Sequence, residues 1–313
     1  MISQRRFAPL LVLLPAVLLA QTTDLVAPVR KAAWAKDVAT AERLIAEARD
    51  KNPAVTPQLL EAISWVGRGA SFAKQWDKAE QYARQAYDGS AALLAGRKLD
   101  ADRSLPLALG AAIEVLAATQ DARGDRSGAV AFLKTEHGRY QGTSIETRIQ
   151  KNLLLLSLEG KPAPPIQADQ WIGEKPPALA KLKGKVVLAF FWAHWCGDCK
   201  RQMPDLVKLQ EAYSKRGLVI LGPTQFYGYT TRGQDATPEQ ELAYLKTDFQ
   251  KQHPIPSWMG VPVSSENFLK FGVSTTPTLM LVDRKGMVRL YHPGNLSYED
   301  LAARVEPLVG PRT

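Results

Sequence analysis

The sequence predicts two domains of different class, an all-α amino-terminal domain followed by an α/β sandwich. Three observations predict it. Residues 24–158 repeat apolar positions every three or four residues, which is the period of a helix face. The stretch EGKPAPPIQADQWIGEKPP, Glu159 to Pro177, then interrupts that period with five prolines and two glycines. Beyond it, short apolar runs alternate with helical segments, the pattern of a sheet covered on both faces. A chain of 313 residues is long enough for two ordinary cores.

The first residues carry their own signal. Two arginines precede an apolar run from Phe7 to Ala20, the layout of a secretory signal peptide over residues 1–20. Its apolar core is short for a bilayer span, and cleavage is expected after Ala20. Leu18 is large for its place before the cut, so an uncleaved amino-terminal anchor is the alternative, and the membrane enters only in that case. General secretion fits better than twin-arginine export, and no cysteine is present there for lipoprotein processing. The expected location is periplasmic or otherwise extracytoplasmic.

A formal charge of +9 raises the question of nucleic acid, but the excess is diffuse. There are 21 basic and 17 acidic residues through Gly160, against 19 and 14 after it. No basic run is interleaved with aromatic residues, so the charge reads as solvated surface and nucleic-acid binding is not expected.

Residues 21–159 form the expected helical domain. WDKAEQYARQAYD (Trp76 to Asp88) sets Ala79 and Ala86 on one helix face, and LAATQDARGDRSGAVAFL (Leu116 to Leu133) reads as helix, Gly-Asp turn, helix. Both resemble pieces of tetratricopeptide repeats, where small residues let paired helices approach closely. The spacing is not a steady 34 residues and the aromatic signature is incomplete, so degenerate repeats and a generic bundle both stand.

Residues 160–313 form the expected α/β domain. KVVLAFFW (Lys185 to Trp192) reads as a buried strand, RQMPDLVKLQEAYSKRG as a helix and LVILGPT as a second buried strand. PEQELAYLKTDFQKQH is expected to be a helix, TLMLVD and MVRLYH a hairpin across Arg284-Lys285-Gly286, and SYEDLAARVEPLV the closing helix.

Both cysteines of the chain, Cys196 and Cys199, lie in WAHWCGDCK, where the first strand gives way to a helix. Cys196 at a helix amino terminus would face unpaired backbone N–H groups and the positive end of the helix dipole, which stabilise a thiolate. A free thiol titrates near about 8.5 and falls to roughly 3.5–7.5 in such settings, so Cys196 reads as a nucleophile. Two residues of spacing put Cys199 within bonding range, where it can resolve a mixed disulfide formed on Cys196. Other uses of the pair fit less well. A bridge over so short a loop stabilises little. Zinc would need further ligands, and His137, His194, His253 and His292 stand at no metal-site spacing. Haem attachment would need histidine where Lys200 stands.

With these residues in hand, the carboxy-terminal half resembles the thioredoxin superfamily, specifically the exported TlpA/ResA-like thiol-disulfide oxidoreductases. GKPAPPI resembles the family's Gly-x-x-Ala-Pro segment and LKGKVVLAFFWAHWCGDC its first central strand and active-site turn. Pro204 stands where the family has its helix-kinking proline, and GVSTTPTLMLVDRKG resembles the segment with its cis-proline, here Pro277. The resemblance covers about Gly160 to Val309. It implies a thioredoxin-like sandwich in which Pro277, with Thr276 before it, faces the cysteines and helps bind an extended partner chain. It also implies Trp195 as an aromatic wall beside the nucleophile, Gly197 and Asp198 as the intervening pair, and Trp192 as packing beneath. Phe226, Tyr227, Tyr229 and Trp258 are candidates to extend that groove.

The sequence departs from the family at two places. The buried acid expected six residues before the first cysteine is Phe190, and the glutamate expected three residues after the second is Gln202. Asp198 and His194 are then the nearest candidates to influence the sulfurs. A carboxylate beside the pair raises thiol pKa values and favours a reducing couple, whereas a protonated His194 would act the other way.

The expected function is an exported protein disulfide oxidoreductase that exchanges disulfides with protein clients, with no cofactor or metal beyond the Cys196–Cys199 disulfide. Its electrons would come from an upstream dithiol. The alternatives are a helical client-binding module with an auxiliary thioredoxin-like domain, and a peroxidase of the peroxiredoxin type, which FWAHWC fits poorly.

Overall fold

A computed structural model describes residues 24–311, so the expected signal segment lies outside the described residues. The amino-terminal half is wholly helical. Helices α1 (Val26–Trp34), α2 (Val38–Lys51), α3 (Pro57–Phe72), α4 (Trp76–Leu94), α5 (Ser104–Ala122), α6 (Arg126–Arg139) and α7 (Glu146–Ser157) pack one against the next. The sequence explains the packing. α5, SLPLALGAAIEVLAATQDA, is apolar on nearly every side and is the buried centre, contacting α3, α4, α6 and α7. α4 buries one stripe, Ala79, Ala83, Ala86 and Ser90, whereas α3 buries every residue from Leu59 to Ser64. Small residues set the approach: a Cβ on Gly69 of α3 would stand 2.9 Å from the Ala33 Cα of α1.

Three helix hairpins among the described residues turn through the same three-residue link. Ala35-Lys36-Asp37, Ala73-Lys74-Gln75 and Arg123-Gly124-Asp125 each place the middle residue in the left-handed region, at φ 58°, 57° and 88°. The same backbone bonds recur: Asp37 N–H to Ala32 O, Gln75 N–H to Ala70 O and Asp125 N–H to Gln120 O, at 2.9–3.0 Å.

The carboxy-terminal half is built on a four-stranded sheet. Strands β1 (Gln170–Ile172), β2 (Val186–Phe191), β3 (Leu218–Leu221), β4 (Val261–Val263), β5 (Thr278–Val282) and β6 (Val288–Pro293) are joined by α8 (Gly197–Tyr213), α9 (Pro238–Lys246), α10 (Asp248–Gln252) and α11 (Ser265–Lys270), with α12 (Tyr298–Val305) closing the chain. The sheet order is β3-β2-β5-β6, with β2 parallel to β3 and antiparallel to β5. β1 and β4 form a separate antiparallel pair.

β2 is buried at every residue, and its alternation feeds two cores. Val186, Leu188 and Phe190 pack with Leu206 and Leu209 of α8 and Leu301 and Val305 of α12. Val187, Ala189 and Phe191 pack on the other face with Phe268 and Phe271, and with Leu154 and Leu158 at the end of α7. The helical half therefore covers part of the second sheet face.

The cysteine-bearing helix begins at Gly197 with Cys196 as its N-cap and carries Pro204 inside it, as read from the sequence. Other elements differ from expectation. The segment 238–252 is two helices broken at Thr247. β1, β4 and α11 were not expected, being too short for periodicity to register.

Candidate functional site

The site forms where β2 ends. Trp192 is anchored by its indole N–H to Gly222 O at 2.8 Å and by its own carbonyl, which accepts from the Thr224 hydroxyl at 2.8 Å. Cys196 is the N-cap of α8, and its Sγ accepts the Cys199 N–H at 3.1 Å. A sulfur holds the place usually filled by a serine or aspartate oxygen, so negative charge on it is favoured by the helix terminus. Cys196 and Cys199 are joined in a disulfide, and both are nearly buried.

Thr276–Pro277 is a cis peptide, and the Thr276 carbonyl oxygen lies 3.4 Å from Cys196 Sγ. Trp195 stands on the other side, half exposed, with Tyr227 edge-on to it at 5.5 Å. Gly197 opens α8 and is exposed. Asp198 is half exposed too and forms an ion pair with Arg201, which offsets its charge near the sulfurs. Its backbone carbonyl accepts from Asn295 Nδ2 at 3.2 Å.

Cys199 faces a different environment. An apolar cavity of about 270 Å³ reaches it, walled by Phe190, Ala193, Met203, Phe249 and Ile255, with Lys200 and His253 among its lining. Phe190 occupies the family's acid position, and no carboxylate is among the residues lining that cavity. Gln202 is buried and spent on structure, donating to Leu296 O at 2.8 Å and accepting Leu296 N–H at 2.9 Å.

The structure does bring a carboxylate next to the active-site turn. Glu241 of α9 is fully buried, and its Oε1 lies 3.3 Å from Nε2 of His194, itself 4% exposed. Glu241 also accepts the backbone N–H groups of Tyr227 and Gly228 at 2.9–3.0 Å. His194 is ringed by Tyr227, Tyr229, Tyr244 and Phe249. Burial, and secondarily Lys200, push the imidazole down to about 4, so it is neutral near pH 7. Burial pushes the Glu241 carboxyl up against the pull of its backbone donors. Nε2 has no hydrogen-bond partner among the described residues, so the two groups are close neighbours rather than a hydrogen-bonded pair. Sequence reading missed Glu241 because it lies 45 positions beyond Cys196, in an ordinary-looking amphipathic helix. Of the groove candidates, Tyr227 and Tyr229 pack around His194, and Phe226 and Trp258 pack against the same core.

The AhpC/TSA family model matches residues 160–225. A thioredoxin-like protein, YneN of Bacillus subtilis, is 28% identical over 149 residues, covering 47% of this chain and 79% of the relative. The thiol:disulfide interchange protein HelX of Rhodobacter capsulatus is 27% identical, covering 50% of this chain and 81% of its own. The thiol-disulfide oxidoreductase ResA of Geobacillus thermodenitrificans is 26% identical, covering 42% and 67%. Among solved structures, a putative DsbE from Chlorobium tepidum aligns over 48% of this chain and 96% of its own, with a TM-score of 0.37 and 24% identity.

Proposed function

The carboxy-terminal half of this chain is a thioredoxin-like domain of the thiol-disulfide oxidoreductases, and from that premise we propose an exported enzyme that reduces disulfides in protein clients. The observation that carries the reading is Cys196 Sγ held between the α8 amino terminus and the Thr276 carbonyl, 3.4 Å away.

In the proposed cycle the Cys196 thiolate attacks one sulfur of the client disulfide. The client's other sulfur leaves as a thiolate and takes a proton, and a mixed disulfide forms on Cys196. Cys199 then loses its proton and attacks Cys196 Sγ, expelling the second client sulfur as a thiolate and closing the Cys196–Cys199 bond. Two electrons pass to the client, and an upstream dithiol restores the pair. The cysteine pair is the whole redox centre in this reading, with no cofactor. Pro277 and Thr276 align the client backbone, Trp195 walls the approach, and Gly197 and Asp198 complete the turn. The direction is read as reducing because no histidine lies between the cysteines and His194 is neutral near pH 7, with Asp198, its charge partly offset by Arg201, adding to it. Export rests on the signal-like residues 1–20. The helical half orients clients.

The test is trapping. Cys199→Ser is expected to hold client proteins on Cys196 as mixed disulfides that a dithiol releases, while Cys196→Ser holds none. Equal trapping by both variants, or by neither, contradicts the assignment.

A further inference from the structure

A cleft of about 710 Å³ with charged residues in its lining lies where the two halves meet, outside the cysteine site. Its floor is Glu114 of α5, whose carboxylate faces three cations: Arg68 of α3 at 3.3 Å, and Arg148 and Lys151 of α7 at 3.1 and 3.3 Å. All four side chains are 13–18% exposed. With Arg103, Asp100 and Asp102 also in the lining, four cations meet three carboxylates, and the cleft keeps one positive charge in excess, concentrated on the floor. On the rim, the Asp100 carboxylate accepts from Ser144 and that of Asp102 from the Ser104 and Leu105 N–H groups, while Arg103 lies in the field of Glu61.

Ser274 and Thr275 form the opposite wall of this cleft. The next residue is Thr276, whose carbonyl touches Cys196 Sγ. The residue that lines the cleft and the residue that touches the sulfur are thus neighbours in one loop. That loop is held against α7. Gln150 Nε2 donates to Lys270 O at 3.2 Å, and a Cβ on Gly272 would stand 2.4 Å from Lys151 N. Helix α7 thus carries two of the cations and also supports the chain leading to Pro277.

We propose that this cleft binds an acidic side chain of the client polypeptide, about two to four residues from the cysteine that Cys196 engages, by the reach of an extended chain. The proposal rests on the disulfide-exchange reading above and adds what it lacks, a preference among clients supplied by the helical half. A carboxylate entering the cleft meets cations that Glu114 does not neutralise, on groups already ordered by their mutual contacts.

The test uses the full reduced protein and three synthetic peptides, each with one cysteine joined by a disulfide to 2-mercaptoethanol. They differ in bearing glutamate, glutamine or lysine three residues from the cysteine on both sides. At about 20 mM salt the glutamate peptide should be reduced about tenfold faster than the glutamine peptide, and the lysine peptide slowest. At about 500 mM salt the spread should shrink to about twofold, as screening shortens the reach of charge. Leu107→Glu places a carboxylate on the cleft's exposed rim and should bring the glutamate-to-glutamine ratio close to one. Equal rates for the three peptides at low salt overturn the proposal, as does a glutamate preference that Leu107→Glu leaves unchanged. Failure to reduce any peptide overturns the exchange reading itself.

Discussion

His194 Nε2 stands 3.3 Å from Glu241 Oε1, and both side chains are sealed from solvent. Glu241 ties helix α9 to the loop beside Trp195 through the backbone N–H groups of Tyr227 and Gly228, and the turn that carries Cys196 packs next to it through His194. The sequence suggested that His194, if charged, would draw the couple toward oxidation; a buried neutral imidazole exerts no such pull.

His194 should titrate far below an ordinary histidine. Its folded value is held at about 4 against 6.5. The unfolded chain therefore binds a proton that the folded imidazole refuses between those values, and this contribution to stability falls as pH drops from about 6.5 toward 4. Glu241, pushed up, works against it by taking a proton in the folded state first. Nitrogen-15 shifts of the imidazole should report the neutral form through pH 5.5. A midpoint at or above pH 6 would contradict the burial argument.

Glu114→Gln should destabilise the helical half. Burial alone would raise the Glu114 carboxyl, but Arg148, Lys151 and Arg68 outweigh it and hold it well below the ordinary 4.5. Its contribution is present above that ordinary value and is lost as pH falls toward the folded one. Removing the charge leaves three cations facing one another in a confined space, at a cost of about 3 kcal/mol. Chemical denaturation at pH 7 reads this; an unchanged midpoint contradicts it.

Lys74→Gly should stabilise. Lys74 is an exposed non-glycine residue at φ 57°, in the turn where the third hairpin uses Gly124. Relieving that conformation outweighs the extra freedom of the unfolded chain by about 0.5 kcal/mol. A lower melting temperature would mean the lysine side chain contributes more than its backbone costs.

Gly272→Ala should loosen the contact between the halves. The residue combines φ 59° with a position whose Cβ would overlap the backbone of Lys151. Main chain must move, at about 2–4 kcal/mol. Faster protease cleavage around residues 158–180 and slower client reduction are expected together; wild-type behaviour in both would show that the loop relaxes freely.

The parts legible in the sequence were those with long or chemically marked signals. β2 shows as a run of eight apolar residues just before the cysteines, and the Thr276 carbonyl before cis Pro277 lies against Cys196 Sγ. The repeated hairpin turn was hidden because two of its three left-handed positions are lysine, and only Gly124 advertises one. Glu241 was hidden because its burial comes from tertiary packing of α9 and the 226–229 loop, which no local pattern encodes. The cleft floor was hidden for the same reason: Arg68, Glu114, Arg148 and Lys151 come from three helices.

The central claim is that Cys196 and Cys199 form a reducing couple, and its equilibrium with a glutathione buffer tests that most directly. The account predicts a reduction potential below about −200 mV, toward the thioredoxin value of about −270 mV. A value near about −120 mV, that of a strong disulfide donor, would contradict it.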